Sequence, residues 1–224
     1  MLLRLEGVLT PDQLQGAREM LAKVKFVDGK ASAGMAASRV KNNQEADRQA
    51  QEICALDNLV MGSLVRHPVY RAGALALKVA TPFYARYVPG MHYGDHVDDP
   101  IMGTGEGLYR TDIAITIFLN DPANYDGGEL VINTAFGEQK VKLPAGDGVM
   151  YPASSLHRVA EVTRGERLVA VTWVQSLVRD PAKRELLYEL NQVRERLLQE
   201  VPDSQDTARI NTVYVNLFRM WSEL

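Results

Sequence analysis

Two imidazoles and a carboxylate are the side chains of this sequence best suited to chemistry. His96 and Asp98 stand two residues apart in Tyr93-Gly-Asp-His-Val-Asp98, and His157 ends Tyr151-Pro-Ala-Ser-Ser-Leu-His157. In an extended strand residues i and i+2 share a face, so His96 and Asp98 can approach one ion, while Asp95 and Asp99 are expected to point the other way. A His-x-Asp pair alone is common on solvated surfaces, and the second, distant His gives the set its meaning. Two His and one carboxylate form a facial triad that holds non-haem Fe(II) and leaves coordination positions open for a cosubstrate and O2. Zinc accepts the same ligands. A zinc hydrolase is the weaker reading, because no general base is evident beside them.

An iron-chelating dicarboxylate needs a planar, permanent charge for its far end, and a guanidinium meets it with two parallel hydrogen bonds. Arg167, ten residues after His157 at the start of an apolar run, is the candidate anchor. Arg164 is its rival but precedes the turn residue Gly165. Tyr87 or Tyr93 could add a phenolic hydrogen bond to the same carboxylate, or serve as packing aromatics. His92 shares strand parity with His96, but Gly94 and Pro89-Gly90 argue against a fourth ligand, and it is left out of the metal set.

Composition excludes several functions. Of 224 residues, 25 are Lys or Arg and 28 Asp or Glu, scattered to a net charge of −3. Without a basic stripe, neither nucleic acid nor an anionic membrane is an expected partner. The single cysteine, Cys54, rules out an intrachain disulfide and is expected to be a small core residue. No basic leader and no run of about 18 apolar residues is present, so the chain reads as a cytoplasmic protein without a membrane span.

The elements that must position these residues are mostly strands. Residues 1–9 read as a short strand, and Thr10-Pro11-Asp12 opens a helix over about 11–24 with Leu14, Ala17, Met20 and Leu21 inward. Residues 28–41 read as a loop or short edge strand, with 34–43 a structural connector in preference to part of the site's mouth, Asn42-Asn43 as the start of a helix to about Leu64, and His67-Pro68 as a turn. Strand-like runs follow at about 75–79, 83–88, 93–97, 112–119, 129–133, 138–143, 147–151, 157–162 and 168–176. This mainly β pattern with flanking α elements predicts a double-sheet jelly roll of the cupin type. The glycine-rich interval 99–110 is expected as a connector able to act as a lid. A C-terminal helical hairpin follows. Its first helix runs from Asp180-Pro181 to about Glu200 with Leu186, Leu187, Leu190, Val193, Leu197 and Leu198 on one side. The second, after Pro202-Asp-Ser204, carries Ile210, Val213, Tyr214, Leu217 and Trp221. The division expected is 1–177 for the jelly roll with its N-terminal helices and 178–224 for the helical extension.

The set Tyr93-Gly-Asp-His-Val-Asp98, Arg110-Thr-Asp-Ile113, Gly127-Gly-Glu-Leu130, Tyr151-Pro-Ala-Ser-Ser-Leu-His157 and Arg167, with Val40-Lys-Asn-Asn43, resembles the PKHD-type hydroxylases. These are bacterial relatives of prolyl and lysyl hydroxylases that include iron-uptake-associated proteins. The resemblance implies an Fe(II)- and 2-oxoglutarate-dependent dioxygenase on a cupin-like double-stranded β-helix, with L-ascorbate (vitamin C) as reductant. It carries His96, Asp98 and His157 over as iron ligands and Arg167 as the 2-oxoglutarate anchor. The expected reaction is hydroxylation of an unidentified protein side chain or small molecule, with 2-oxoglutarate converted to succinate and CO2. A non-catalytic iron-binding or iron-sensing jelly roll is the alternative, and it leaves Arg167 unexplained. The C-terminal hairpin is expected either to brace the jelly roll or to join subunits in a homo-oligomer.

Overall fold

Thr10 starts the first helix by a local device: its side chain accepts from the Gln13 N–H, and the Gln13 side chain accepts from the Thr10 N–H. The computed structural model describes residues 1–224. Strand β1 (Leu3–Leu5) precedes this helix, α1 (Pro11–Leu21), and β2 (Phe26–Asp28) follows it. Leu14, Ala17 and Leu21 are buried and Met20 packs beside them.

The helix expected from Asn42 begins only at Ile53. Residues 41–46 instead form β3 (Lys41–Asn42) and β4 (Gln44–Ala46), ahead of α2 (Ile53–Leu64). Gln-Glu-Ala favours helix intrinsically, but ladder bonding on both edges and burial of Glu45 and Ala46 outweigh tenths of a kcal/mol of propensity. Cys54 is exposed on α2, not in the core. Its helix turns Ile53, Leu56 and Val60 inward instead. His67-Pro68 ends one helix and also starts another, α3 (Pro68–Ala74), because proline suits the first helical position.

The β region then runs β5 (Ala76–Val79), β6 (Phe83–Tyr87), β7 (His92–His96), the small hairpin β8 (Ile101–Met102) and β9 (Tyr109–Arg110), and β10 (Ile113–Phe118). It continues through β11 (Tyr125–Gly127), β12 (Leu130–Thr134), β13 (Gly137–Val141), β14 (Gly148–Pro152), β15 (His157–Val159), β16 (Val162–Gly165) and β17 (Arg167–Ser176). The single strand expected over 157–162 is thus two, β15 and β16, which join different sheets.

The larger sheet has the order β1-β14-β10-β17-β6-β4-β2, with β5 also on β17, and the smaller the order β13-β12-β15-β7-β3. All pairings are antiparallel, and the two sheets face each other as a double-stranded β-helix. Strand β10 shows why its sequence, Ile-Ala-Ile-Thr-Ile-Phe, lacks polar alternation. Ile113, Ile115 and Ile117 belong to the same buried core as Leu56, Val60 and Leu64 of α2, while Ala114 and Phe118 belong to the core shared with the second sheet. Helices cover the outer face of the larger sheet, so both its faces are apolar.

Gly165 holds φ +72 where β16 meets β11, and a Cβ there would run into the Asn124 carbonyl oxygen. We expect Gly165→Ala to lower stability by about 2–4 kcal/mol, from backbone strain plus displaced strand pairing, as read by denaturant unfolding. A wild-type midpoint would contradict the turn geometry.

The C-terminal helices are α4 (Pro181–Glu200) and α5 (Gln205–Trp221), capped by Asp180 and Ser204. Their buried face differs from the one expected. Of the six leucine and valine positions read as one side of α4, only Leu187 is buried; Leu186 is 61% exposed. Arg184 and Asn191 turn inward, because Arg184 caps the Val178 and Arg179 carbonyls at 2.7 and 2.8 Å. From α5, Tyr214, Leu217, Phe218 and Trp221 pack with Leu187 on Leu75 and Val178, while Val213 is exposed. No helix is long and apolar enough to cross a membrane.

Candidate metal centre

His96 closes β7 and His157 opens β15, and the antiparallel register sets them directly opposite each other. Asp98 lies just beyond the end of β7, so it belongs to an extended exit and not to the strand itself. Its carboxylate nevertheless returns to the same place. One ligand atom from each of His96, Asp98 and His157 lies within 4.8 Å of the others. Asp98 Oδ1 is 3.9 Å from His96 Nε2 and 3.8 Å from His157 Nε2.

Each of these atoms is aimed by a second contact. His96 Nδ1 lies 2.8 Å from the Gly94 carbonyl and His157 Nδ1 2.9 Å from the Ser155 carbonyl. A carbonyl only accepts, so Nδ1 carries the proton and Nε2 presents its lone pair to the centre. Trp173 Nε1 donates to Asp98 Oδ2 at 2.9 Å and leaves Oδ1 turned to the imidazoles. Burial, and secondarily His157, pushes the His96 pKa down to about 4, so the ring is neutral near pH 7 and ready to coordinate. Burial shifts Asp98 in the opposite sense, toward a higher pKa. A divalent cation would relieve that cost. The donor set, two neutral imidazoles and one carboxylate oxygen on one side of a cleft, suits a mid-series divalent metal with open positions.

The pairing of β7 with β15 contains a register shift: His157 faces His96 but Val159 faces Tyr93. The extra residue on β7 brings Tyr93, three residues from His96, onto the same face, and the two rings stack at 3.6 Å between centroids. Strict alternation does not reach this.

Arg167 is 2% exposed on the cleft side of β17, directly across the ladder from Tyr87. Its carbon Cζ lies 4.9 Å from the Tyr87 ring centroid and 5.7 Å from that of Phe118. Nε has no hydrogen-bond partner. An unpaired guanidinium at this burial is costly, and an anion in the cleft would offset that cost. Of the two tyrosines singled out, Tyr87 adjoins Arg167 and Tyr93 stacks on His96 instead. Arg164 is exposed and bound to Asp126 at 2.7 and 3.0 Å. His92 keeps out of the triad.

These groups line one cleft of about 840 Å³, and its wall corrects two expectations. The stretch read as a connector contributes Ser32, Ala33, Gly34, Ala37 and Lys41, with Lys41 buried against Glu45 at 2.6 Å and its ammonium 5.3 Å from the Tyr93 ring centroid. Asp99, expected to point away, lines the mouth, because strand alternation lapses where β7 ends; Asp95 does point away, to Arg158 at 3.4 Å. Residues 99–110 form the β8–β9 hairpin, whose Met102 also lines the cleft.

Sequence reasoning missed Trp173. The signal was present, since Trp173 lies six residues from Arg167 on one strand and so on the same face, among apolar neighbours. We expect Trp173→Phe, which keeps an aromatic side chain and removes the N–H, to weaken metal affinity about 10- to 100-fold with a smaller effect on melting temperature. Unchanged affinity in a metal titration would show that Asp98 needs no such support.

Residues 82–175 match the model of the 2OG-Fe(II) oxygenase superfamily, and residues 181–223 that of the PKHD-type hydroxylase C-terminal domain. The chain is 53% identical over its whole length, and the whole of the relative, to PKHD-type hydroxylase Tgr7_2199 of Thioalkalivibrio sulfidiphilus. It is 41% identical, again over the full length of both, to PKHD-type hydroxylase YbiX of Escherichia coli. Among solved structures it is similar in fold to a prolyl hydroxylase from Trichoplax adhaerens, in complex with a hypoxia inducible factor oxygen degradation domain peptide fragment. That likeness has a TM-score of 0.56 and 15% identity over 83% of this chain and 86% of the other.

Proposed function

Because this chain belongs to the PKHD-type hydroxylases, dioxygenases of the 2OG-Fe(II) oxygenase superfamily, we propose that His96, Asp98 and His157 hold Fe(II) and that Arg167 anchors 2-oxoglutarate. The observation that carries this reading is the buried, unpartnered Arg167 guanidinium in the same cleft as the two-His, one-carboxylate cluster. A metal-binding protein without a cosubstrate has no use for it.

Fe(II) and 2-oxoglutarate supply O2 activation: one oxygen atom enters a substrate C–H bond as hydroxyl, and the other joins the cosubstrate as it becomes succinate and CO2. The chain's own work is positioning and exclusion of water. The two Nδ1–H···O=C bonds keep the imidazoles aimed, Trp173 keeps one Asp98 oxygen out of the way, and Arg167 takes the far carboxylate as a bidentate pair. Tyr87, stacked against that guanidinium, contributes its hydroxyl to the same carboxylate, while Tyr93 buttresses His96. L-ascorbate serves as the reductant that keeps the metal in its Fe(II) state. Residues 1–177 carry the reaction, and 178–224 form the extension, whose exposed Leu186, Val193 and Val213 suit a subunit contact.

Anaerobic titration of the metal-free protein with Fe(II) and then 2-oxoglutarate tests the proposal. A visible charge-transfer band from the chelated 2-oxo acid is expected. Iron binding without that band would remove the cosubstrate from the reading.

A further inference from the structure

Five charged side chains line the cleft: Lys41, Glu45, Asp98, Asp99 and Arg167. On the reading above, on which this inference rests, four of them are already matched. Lys41 Nζ lies 2.6 Å from Glu45 Oε1 and donates to Ser32 Oγ at 2.8 Å. Fe(II), the Asp98 carboxylate, the two carboxylates of 2-oxoglutarate and the Arg167 guanidinium sum to zero charge. Asp99 is left over. No Lys or Arg side chain pairs with its carboxylate, which is exposed and lines the cleft.

The main chain that carries this exposed carboxylate is anchored. Thr111 Oγ1 donates to the Asp99 carbonyl and Thr111 N–H to the Pro100 carbonyl, which pins the main chain at the root of the β8–β9 hairpin. On the opposite wall the carboxylate rests against Gly34, where a Cβ would fall 2.5 and 2.6 Å from its two oxygens. The same cleft presents apolar surface from Ala33, Ala37, Phe83, Val97 and Met102. An unpaired carboxylate held on an anchored main chain repels anions, gains nothing from a neutral group that could not be had from water, and forms a charge-assisted hydrogen bond with a cation.

We propose that Asp99 selects a substrate bearing a protonated nitrogen, an ammonium or guanidinium on an aliphatic chain. The chain lies along the apolar wall with the C–H to be hydroxylated toward the His96, Asp98 and His157 centre. Asp99 is a specificity residue, while the chemistry stays with the metal centre.

The test is anaerobic calorimetric titration of the Fe(II)- and 2-oxoglutarate-loaded protein with paired probes. One pair is hexylamine against hexanol; the other is a blocked Ala-Lys-Ala tripeptide against its norleucine counterpart. At least one ammonium probe should bind about tenfold more tightly than its neutral partner, and the pair showing the preference tells a free amine from a side chain. The preference should vanish in Asp99→Asn and turn toward hexanoate in Asp99→Lys. Gly34→Ala, which keeps the charge but displaces it, should reduce the preference. Absence of binding by both ammonium probes up to millimolar concentration, equal binding within each pair, or a preference that survives Asp99→Asn overturns the inference. The charge-transfer band is recorded in the same samples. Its presence without a charge preference overturns only the role of Asp99, and its absence in the wild type overturns the cosubstrate reading and this inference with it.

Discussion

Replacing Arg167 by alanine is expected to raise the dissociation constant for 2-oxoglutarate roughly 10²- to 10³-fold, the cost of leaving a buried carboxylate without its charge partner. Fe(II) binding without cosubstrate should stay close to wild type, because Arg167 stands outside the cluster of ligand atoms. The band from chelated 2-oxoglutarate would then appear only at cosubstrate concentrations far above those the wild type needs. Arg167→Lys should recover part of the loss but not all, since an ammonium cannot reproduce the planar fork. Stability should move the other way. The guanidinium is almost completely buried and its Nε lacks a partner, so Arg167→Met is expected to melt no lower than the wild type in the absence of ligands. Wild-type affinity for 2-oxoglutarate in Arg167→Ala would refute the anchor outright. A marked loss of melting temperature in Arg167→Met would mean that the side chain is structural.

Removal of His157 should be more severe for the metal. His157 is one of the three residues proposed to hold the metal, so His157→Ala is expected to lower 2-oxoglutarate-dependent turnover by about 10³-fold or more. A readout independent of turnover is thermal stabilisation by metal. At a free concentration near 100 times its dissociation constant, a ligand stabilises the wild type by about 2.7 kcal/mol, or about 5–10 °C in melting temperature for a chain of this length. His157→Ala should lose that shift under the same conditions. A retained shift would place the metal elsewhere or make His157 dispensable as a ligand.

How much of this was legible in the sequence depended on how local each cause was. The Thr10 capping box, the Asp180 and Ser204 caps and most strand positions follow from neighbours a few residues away, and the structure has them within a residue or two. Helix against strand at 42–52 did not follow, because Gln44–Ala46 is held by β2 and β6, partners 16 or more residues distant in sequence. The buried face of α4 failed for a related reason. Hydrophobic periodicity names the apolar stripe, but Arg184 turned inward to meet two carbonyls, and the stripe was left partly in solvent.

Residue types and spacing by themselves determined the candidate chemistry: a strand-borne His96 with Asp98 close by, a second imidazole at His157 and a guanidinium at Arg167 suggest a donor set and an anion partner. They also determined a mainly β chain with appended helices. Only the tertiary structure decided that the set converges. Antiparallel pairing puts His157 across from His96, a bulge lays Tyr93 on the imidazole, and the parity of β17 sends Arg167 and Trp173 into one cleft. It also turned Lys41, Gly34 and Asp99, which looked like connector or outward-facing residues, into the wall and mouth of that cleft. The reason is physical. A ligand's identity is carried by its own atoms, whereas its direction and its neighbours are set by hydrogen-bond registers between strands far apart in the chain, and one extra residue in a strand reverses which face every later side chain takes.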